Sequence, residues 1–241
     1  MEQRGLTFRF KDFIDECEAL KAYASEVLDG QTTWVLKQAG KDLESIQSQK
    51  STDRTFRWSI SKENPLCTNW SDGESKPGNK SAHKIRAKLS FVWEIRPLKE
   101  SKGKTPKHFA LDGLASTLIT LVEEGGTPLS QWTVDVGDDQ SPGTHFHFQF
   151  GGFLDVPRLP APVMSPLLAM EFVIGELFQD RWKELAAAES TYSYRWRSLH
   201  KERLRRFFEW QRKCVEDCFL GSPWMALKLA KPKSDLFVDR A

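Results

Sequence analysis

Two histidines and a glutamine fall at alternate positions in the run Thr144-His145-Phe146-His147-Phe148-Gln149-Phe150. Read as a strand, the run puts His145, His147 and Gln149 on one face and three phenylalanines on the other, because successive strand side chains point to opposite faces. Asp135 has matching parity on the preceding segment, where Trp132, Val134 and Val136 alternate with Gln131, Thr133 and Asp135. A carboxylate beside two imidazoles can orient one ring for proton transfer, or complete a metal site with the two nitrogens. Two histidines without a clear third ligand make the metal the weaker case, so no metal site is assigned and the cofactor stays unknown. The plainer reading is a solvated sheet face, since polar residues alternating with Phe are what a half-buried strand requires.

The spacing His-x-His-x-Gln resembles the transferase branch of the histidine-triad superfamily, which includes galactose-1-phosphate uridylyltransferase and diadenosine tetraphosphate phosphorylase. The resemblance implies a phosphoester hydrolase or nucleotidyltransferase, with His147 as the nucleophile that accepts the nucleotidyl group and Gln149 binding phosphate. It extends over seven residues of 241. The further phosphate-contacting residues of those families have no counterpart identified here, and membership is not inferred.

A second candidate lies nearer the C-terminus. Residues 192–213 carry eight Lys/Arg and two Glu, a local charge of +6 in a chain whose net charge is +2, so the remainder carries −4. On a helical wheel Trp196, His200, Leu204, Phe207, Phe208, Cys214, Val215, Cys218 and Phe219 form one broad stripe, with Arg195, Lys201, Arg205, Arg206, Arg212 and Lys213 opposite. Arginine suits phosphate and carboxylate recognition, so this face can meet a nucleic-acid backbone or an acidic protein surface. The bland alternative is a solvated face, or arginines paired with the acidic body of the same molecule. The bulky apolar stripe is needed for a core, which argues against a membrane-surface helix. Cys214 and Cys218 on that stripe read as buried packing residues.

The elements that must position these residues follow from periodicity. Apolar residues at Phe10, Phe13, Ile14, Cys17, Leu20 and Tyr23 predict a helix over 7–28, and a weaker helix covers 34–48. The period then changes to two: Phe56, Trp58 and Ile60, then Ile85, Ala87, Leu89, Phe91, Trp93 and Ile95, each alternating with polar neighbours. A polar loop spans 61–82 and a basic loop 97–107. A strand region follows at 108–122, with Gly113 marking a bulge. Short turns at 125–128 and 141–143 make the neighbouring strands antiparallel. Ser165-Pro166 starts a helix running to 188, and the last long helix covers 192–220.

Between sheet and helices lies Asp155-Val156-Pro157-Arg158-Leu159-Pro160-Ala161-Pro162, a rigid crossover or an extended docking strip. The order of helix, antiparallel meander, proline crossover and C-terminal helices is similar to the ubiquitin-conjugating and RWD fold. The catalytic cysteine and His-Pro-Asn of that fold are missing, so the analogy implies an inactive interaction domain.

The four cysteines (Cys17, Cys67, Cys214, Cys218) form no CxxC pair or zinc-finger spacing. Neither a secretory leader nor a membrane-spanning stretch is read, which places the chain in the cytoplasm. The expectation is a single α+β domain over 1–241, an antiparallel meander of about four to five strands packed against N-terminal and C-terminal helices. Its parts are helices in 1–50, sheet in 54–150, a proline crossover in 153–166, helices in 166–221 and a frayed tail in 230–241. Its expected role is an intracellular interaction module binding a protein or nucleic-acid partner through the basic helix and the polar sheet face. The alternatives are the His-dependent enzyme and a structural subunit of a larger complex, whose interface the nine Trp and sixteen Phe would supply.

Overall fold

The computed structural model describes residues 5–49, 52–71, 84–99, 104–137, 144–151, 158–218 and 221–238. Two long antiparallel strands, β4 (Ile85–Pro97) and β5 (His108–Glu123), form the centre of an α+β architecture. Around them lie β1 (Thr7–Arg9), β2 (Phe56–Ile60), β3 (Leu66–Cys67), β6 (Pro128–Val136), β7 (Phe146–Phe150) and β8 (Leu159–Pro160). The main path runs β2-β4-β5-β6-β7-β8, with β1 pairing on β5 and β3 on β4. The sheet thus has eight strands rather than four or five. The additions β1, β3 and β8 are two or three residues long, too short to show a period-two pattern.

The helices are α1 (Phe10–Tyr23), α2 (Gly30–Ser48), α3 (Pro166–Leu177), α4 (Gln179–Ala187), α5 (Thr191–Glu216) and α6 (Pro223–Leu229). The first three residues of the expected N-terminal helix, Thr7–Arg9, are strand, and α1 runs only from Phe10 to Tyr23. The helix expected over 166–188 is two, because Phe178 leaves helical geometry (φ −130°, ψ 49°) and turns its buried ring inward. Ser165 caps α3 as its sequence suggests: its hydroxyl accepts from Leu168 N at 3.1 Å, and Pro166 takes the first helical position. The unforeseen α6 starts the same way, on Ser222 and Pro223.

One face of the sheet is apolar throughout: Ala87, Leu89, Phe91, Trp93 and Ile95 of β4 face the helices with Trp58 and Phe109. Aromatic edges fill this layer, with Phe13 meeting Trp58 at 5.7 Å, Trp93 at 5.5 Å and Phe109 at 5.3 Å between ring centroids. Trp58 resolves its one polar atom by donating to Ala39 O of α2 at 3.0 Å. Gly113 does mark an irregularity. Register shifts between Trp93 and Ile95 opposite it, and Gly113 adopts φ +133°. A Cβ there would meet Glu94 Oε2 at 2.0 Å, while that carboxylate accepts from Leu114 N at 2.9 Å.

The tail expected to fray is docked over its described part. Thr7 N donates to Ser234 O at 2.7 Å, and Phe237 stacks on Phe8 at 5.3 Å. Two apolar residues, Leu236 and Phe237, carry this contact, and a polar neighbourhood hid them in the sequence. The polar loop 61–82 falls outside the described residues from 72, the basic loop 97–107 at 100–103, and the proline crossover up to 157.

Candidate functional site

The His strand is placed by pairing. In β6 and β7, Asp135 lies opposite His147 and Thr133 opposite Gln149, while Val136, Val134 and Trp132 face Phe146, Phe148 and Phe150. The sequence parity is therefore correct, and the structure brings together Asp135 and His147. His145 stands just outside the ladder, since β7 begins at Phe146. Its carbonyl accepts from Gly137 N at 2.6 Å and its ring meets Phe146 edge-on at 5.0 Å. Both histidines are buried, at 5 % and 4 % exposure, which corrects the expectation of a wet face. Gln149 is half-buried.

The polar contacts of His147 define its state. Nδ1 lies 3.0 Å from Thr144 O, and a carbonyl only accepts, so Nδ1 carries the proton. Nε2 then faces Asp135 Oδ2 at 3.7 Å, beyond hydrogen-bond reach, and that oxygen already accepts from Thr133 Oγ1 at 2.6 Å. Burial pushes His147 below the ordinary imidazole range; Asp135 opposes this and the charge of Arg158 reinforces it. The arrangement holds a neutral, oriented imidazole against a carboxylate. Among the described residues no group of three or more His, Cys, Asp or Glu is placed to hold a metal.

The basic helix is α5. Its buried stripe is Ser193, Trp196, His200, Arg203 and Phe207, alternating steps of three and four. Trp196, His200 and Phe207 match the sequence reading. Phe208 does not, being 57 % exposed, and Val215 is exposed as well. One residue along a helix turns the side chain by about 100°, which carries Phe208 out of the stripe that holds Phe207. Leu204, Cys214 and Cys218 are only partly covered, so the two cysteines are not the buried packing residues expected, and Phe219 lies outside the described residues.

In their place the stripe contains a cation. Arg203 reaches Glu16 of α1, with Nη2 to Oε1 at 2.7 Å, and its guanidinium lies 4.9 Å from the Phe13 ring centroid. Ser165 Oγ donates to Glu16 Oε2 at 2.5 Å, so α1, α3 and α5 meet at one carboxylate. Tyr23 Oη donates to Glu171 Oε1 at 3.3 Å beside this centre, and Tyr23 stacks on Trp196. The sequence reading missed this group. Its signal was a charged residue inside an apolar stripe on two helices, Glu16 between Phe13 and Leu20, and Arg203 between His200 and Phe207.

The outer face of α5 is largely paired within itself. Arg205 bonds Glu202 at 2.7 Å and Glu209 at 2.5 Å, Arg206 bonds Glu202 at 2.7 Å, and Arg212 bonds Glu216 at 2.5 Å. Hydrogen bonds from Arg205, then Arg206, lower the Glu202 carboxyl to about 2. Arg195 pairs with Asp15 of α1. Two cavities flank the helix. One, of about 570 Å³, is a groove between α5 and the docked tail, where Arg205, Arg206, Lys213, Lys231 and Lys233 outnumber Glu209, Asp217 and Asp235. The other, of about 540 Å³, lies between α5 and the start of α1. Lys201 lines neither, and Arg212 also stands apart from both.

No family model, no curated protein and no solved structure matches this chain. Among the described residues no helix is long and apolar enough to cross a membrane.

Proposed function

We propose that this chain is an interaction module that binds an acidic, partly apolar protein segment in the groove between α5 and residues 231–236. The observation that carries the reading is the composition of that groove: five cations against three carboxylates, with Trp210 and Leu236 in the same lining. Beside it the α5 and α6 surfaces expose Phe208, Val215, Trp224, Met225 and Leu229. Aromatic residues, Met and Arg are the side chains enriched in the centres of protein interfaces. Val215, Met225 and Leu229 offer nothing to a phosphate backbone and little for a base to stack on, which favours protein over nucleic acid.

The test is fluorescence anisotropy of two labelled probes of equal charge, a Glu/Leu/Phe peptide and a single-stranded oligonucleotide, against the full chain. Saturable peptide binding, lost in Lys213→Glu/Lys233→Glu, supports the reading. Binding of the oligonucleotide alone moves the assignment to nucleic acid, and binding of neither overturns it.

A further inference from the structure

We infer that the cleft between the start of α1 and α5 is a binding site for a small phosphate monoester of nucleoside-monophosphate size. The inference does not rest on the acidic-partner reading, which uses a separate groove that shares only Arg206 with this cleft. The cavity is about 540 Å³, within the size range of small-ligand sites. Arg9, Arg195, Arg203 and Arg206 line it with Asp12 and Glu202; Arg195 is paired with Asp15, Arg203 with Glu16 and Arg206 with Glu202, so a phosphate would share these cations with their carboxylates. Four arginines from two chain elements line one space, and planar donor forks are suited to the oxygens of a phosphate.

A second observation points to a missing acceptor. Arg203 is 6 % exposed and commits Nη2 to Glu16. Its Nη1 is buried and has no hydrogen-bond partner among the described residues. Buried charged donors in folded proteins are almost always satisfied, and this one, on a residue that lines the cleft, lacks its acceptor. At the rim, Tyr194 is 70 % exposed and Phe237 lines the same cleft, so a planar ring attached to the phosphate has two aromatic side chains to lie beside. Ser198 and Thr191 add hydroxyls to the lining. The carboxyl of Asp12 is pushed up by its burial, which lessens the charge opposing an anion there.

Isothermal titration calorimetry on the full chain at low ionic strength tests the site with adenosine monophosphate, inorganic phosphate and adenosine as separate probes. Variants are Arg195→Gln, a partly exposed rim position, and Lys213→Glu/Lys233→Glu in the groove, each checked for native circular dichroism. Saturable binding of the monophosphate, weaker binding of phosphate and none of adenosine are expected. Arg195→Gln should weaken the monophosphate by about tenfold or more, the loss of one charge-assisted contact, with the groove variant unchanged. The site is overturned if neither monophosphate nor phosphate binds saturably at millimolar concentration, if adenosine binds as well as its monophosphate, or if Arg195→Gln has no effect.

Discussion

Arg203 Nη2 and Glu16 Oε1 lie 2.7 Å apart with the side chains 6 % and 0 % exposed, so α5 is joined to α1 through a buried ion pair. Removing one partner of such a pair leaves the other charge unmatched in a low-dielectric interior, which costs about 3–5 kcal/mol. Arg203→Met should lower unfolding stability by that amount in urea titration. The double variant Arg203→Met/Glu16→Leu should recover most of the loss, because two apolar side chains of similar volume leave no unpaired charge. A double variant as unstable as the single one would show that the ion pair itself holds the helices.

His200 sits on the same stripe, 4.2 Å from Trp196 between ring centroids, and burial followed by the charge of Arg203 holds it well below its usual 6.5. Below about pH 6.5 the unfolded chain takes up a proton that the folded chain refuses, so stability falls as pH falls. His147, also lowered, acts in the same direction. Asp12 and Glu171, raised chiefly by burial, act in the opposite one, losing stability as pH rises through their folded-state values. The comparison of wild type with His200→Phe isolates the histidine. Between pH 7 and 5 the variant should lose less stability on acidification, by up to about 1.4 kcal/mol per pH unit. Parallel curves would mean that His200 is protonated in the folded state.

Gly113→Ala should cost about 1–3 kcal/mol, from the left-handed φ of +133° and the 2.0 Å approach of its Cβ to Glu94. Gly126, with φ +83° and nothing within 4 Å, should cost less when changed to Ala, and Gly125, with neither constraint, least. Thermal denaturation of the three variants checks the ranking, and equal midpoints would contradict it.

Phe237 stacks on Phe8 and meets Phe146 at 6.4 Å. Truncation to Ala should cost about 1–3 kcal/mol, the range for a partly buried aromatic ring. It should also release the backbone bond from Thr7 N to Ser234 O, seen as faster amide exchange at Thr7. Unchanged exchange at Thr7 would show that the tail is held by its backbone alone.

The meander was legible because β2, β4, β5, β6 and β7 are long enough to alternate: Ile85 to Ile95 announces a one-sided strand without any other information. The histidine parity was legible for the same reason. What covers His145 and His147 was not, because periodicity reports which side chains share a face and says nothing about what packs on it. The stripe of α5 was half read. Hydrophobicity placed Trp196 and Phe207 inside, but it also claimed Phe208 and rejected Arg203, whose burial depends on Glu16 far away in sequence. The tail was lost on composition, since Leu236 and Phe237 are flanked by Lys231, Lys233 and Asp235.

The hydrogen bond from Ser165 to Glu16 spans 149 residues, and that from Tyr23 to Glu171 spans 148. During synthesis at typical speeds α1 therefore leaves the ribosome roughly 7–30 seconds before α3 exists. Its neighbour α2 follows at once and packs against it, so the nascent chain can shelter part of the apolar face early. The flank bearing Glu16 has to stay hydrated until the last third of the protein emerges. A carboxylate at that position suits the waiting helix to water, and the arrival of α5 brings Arg203 as its buried partner.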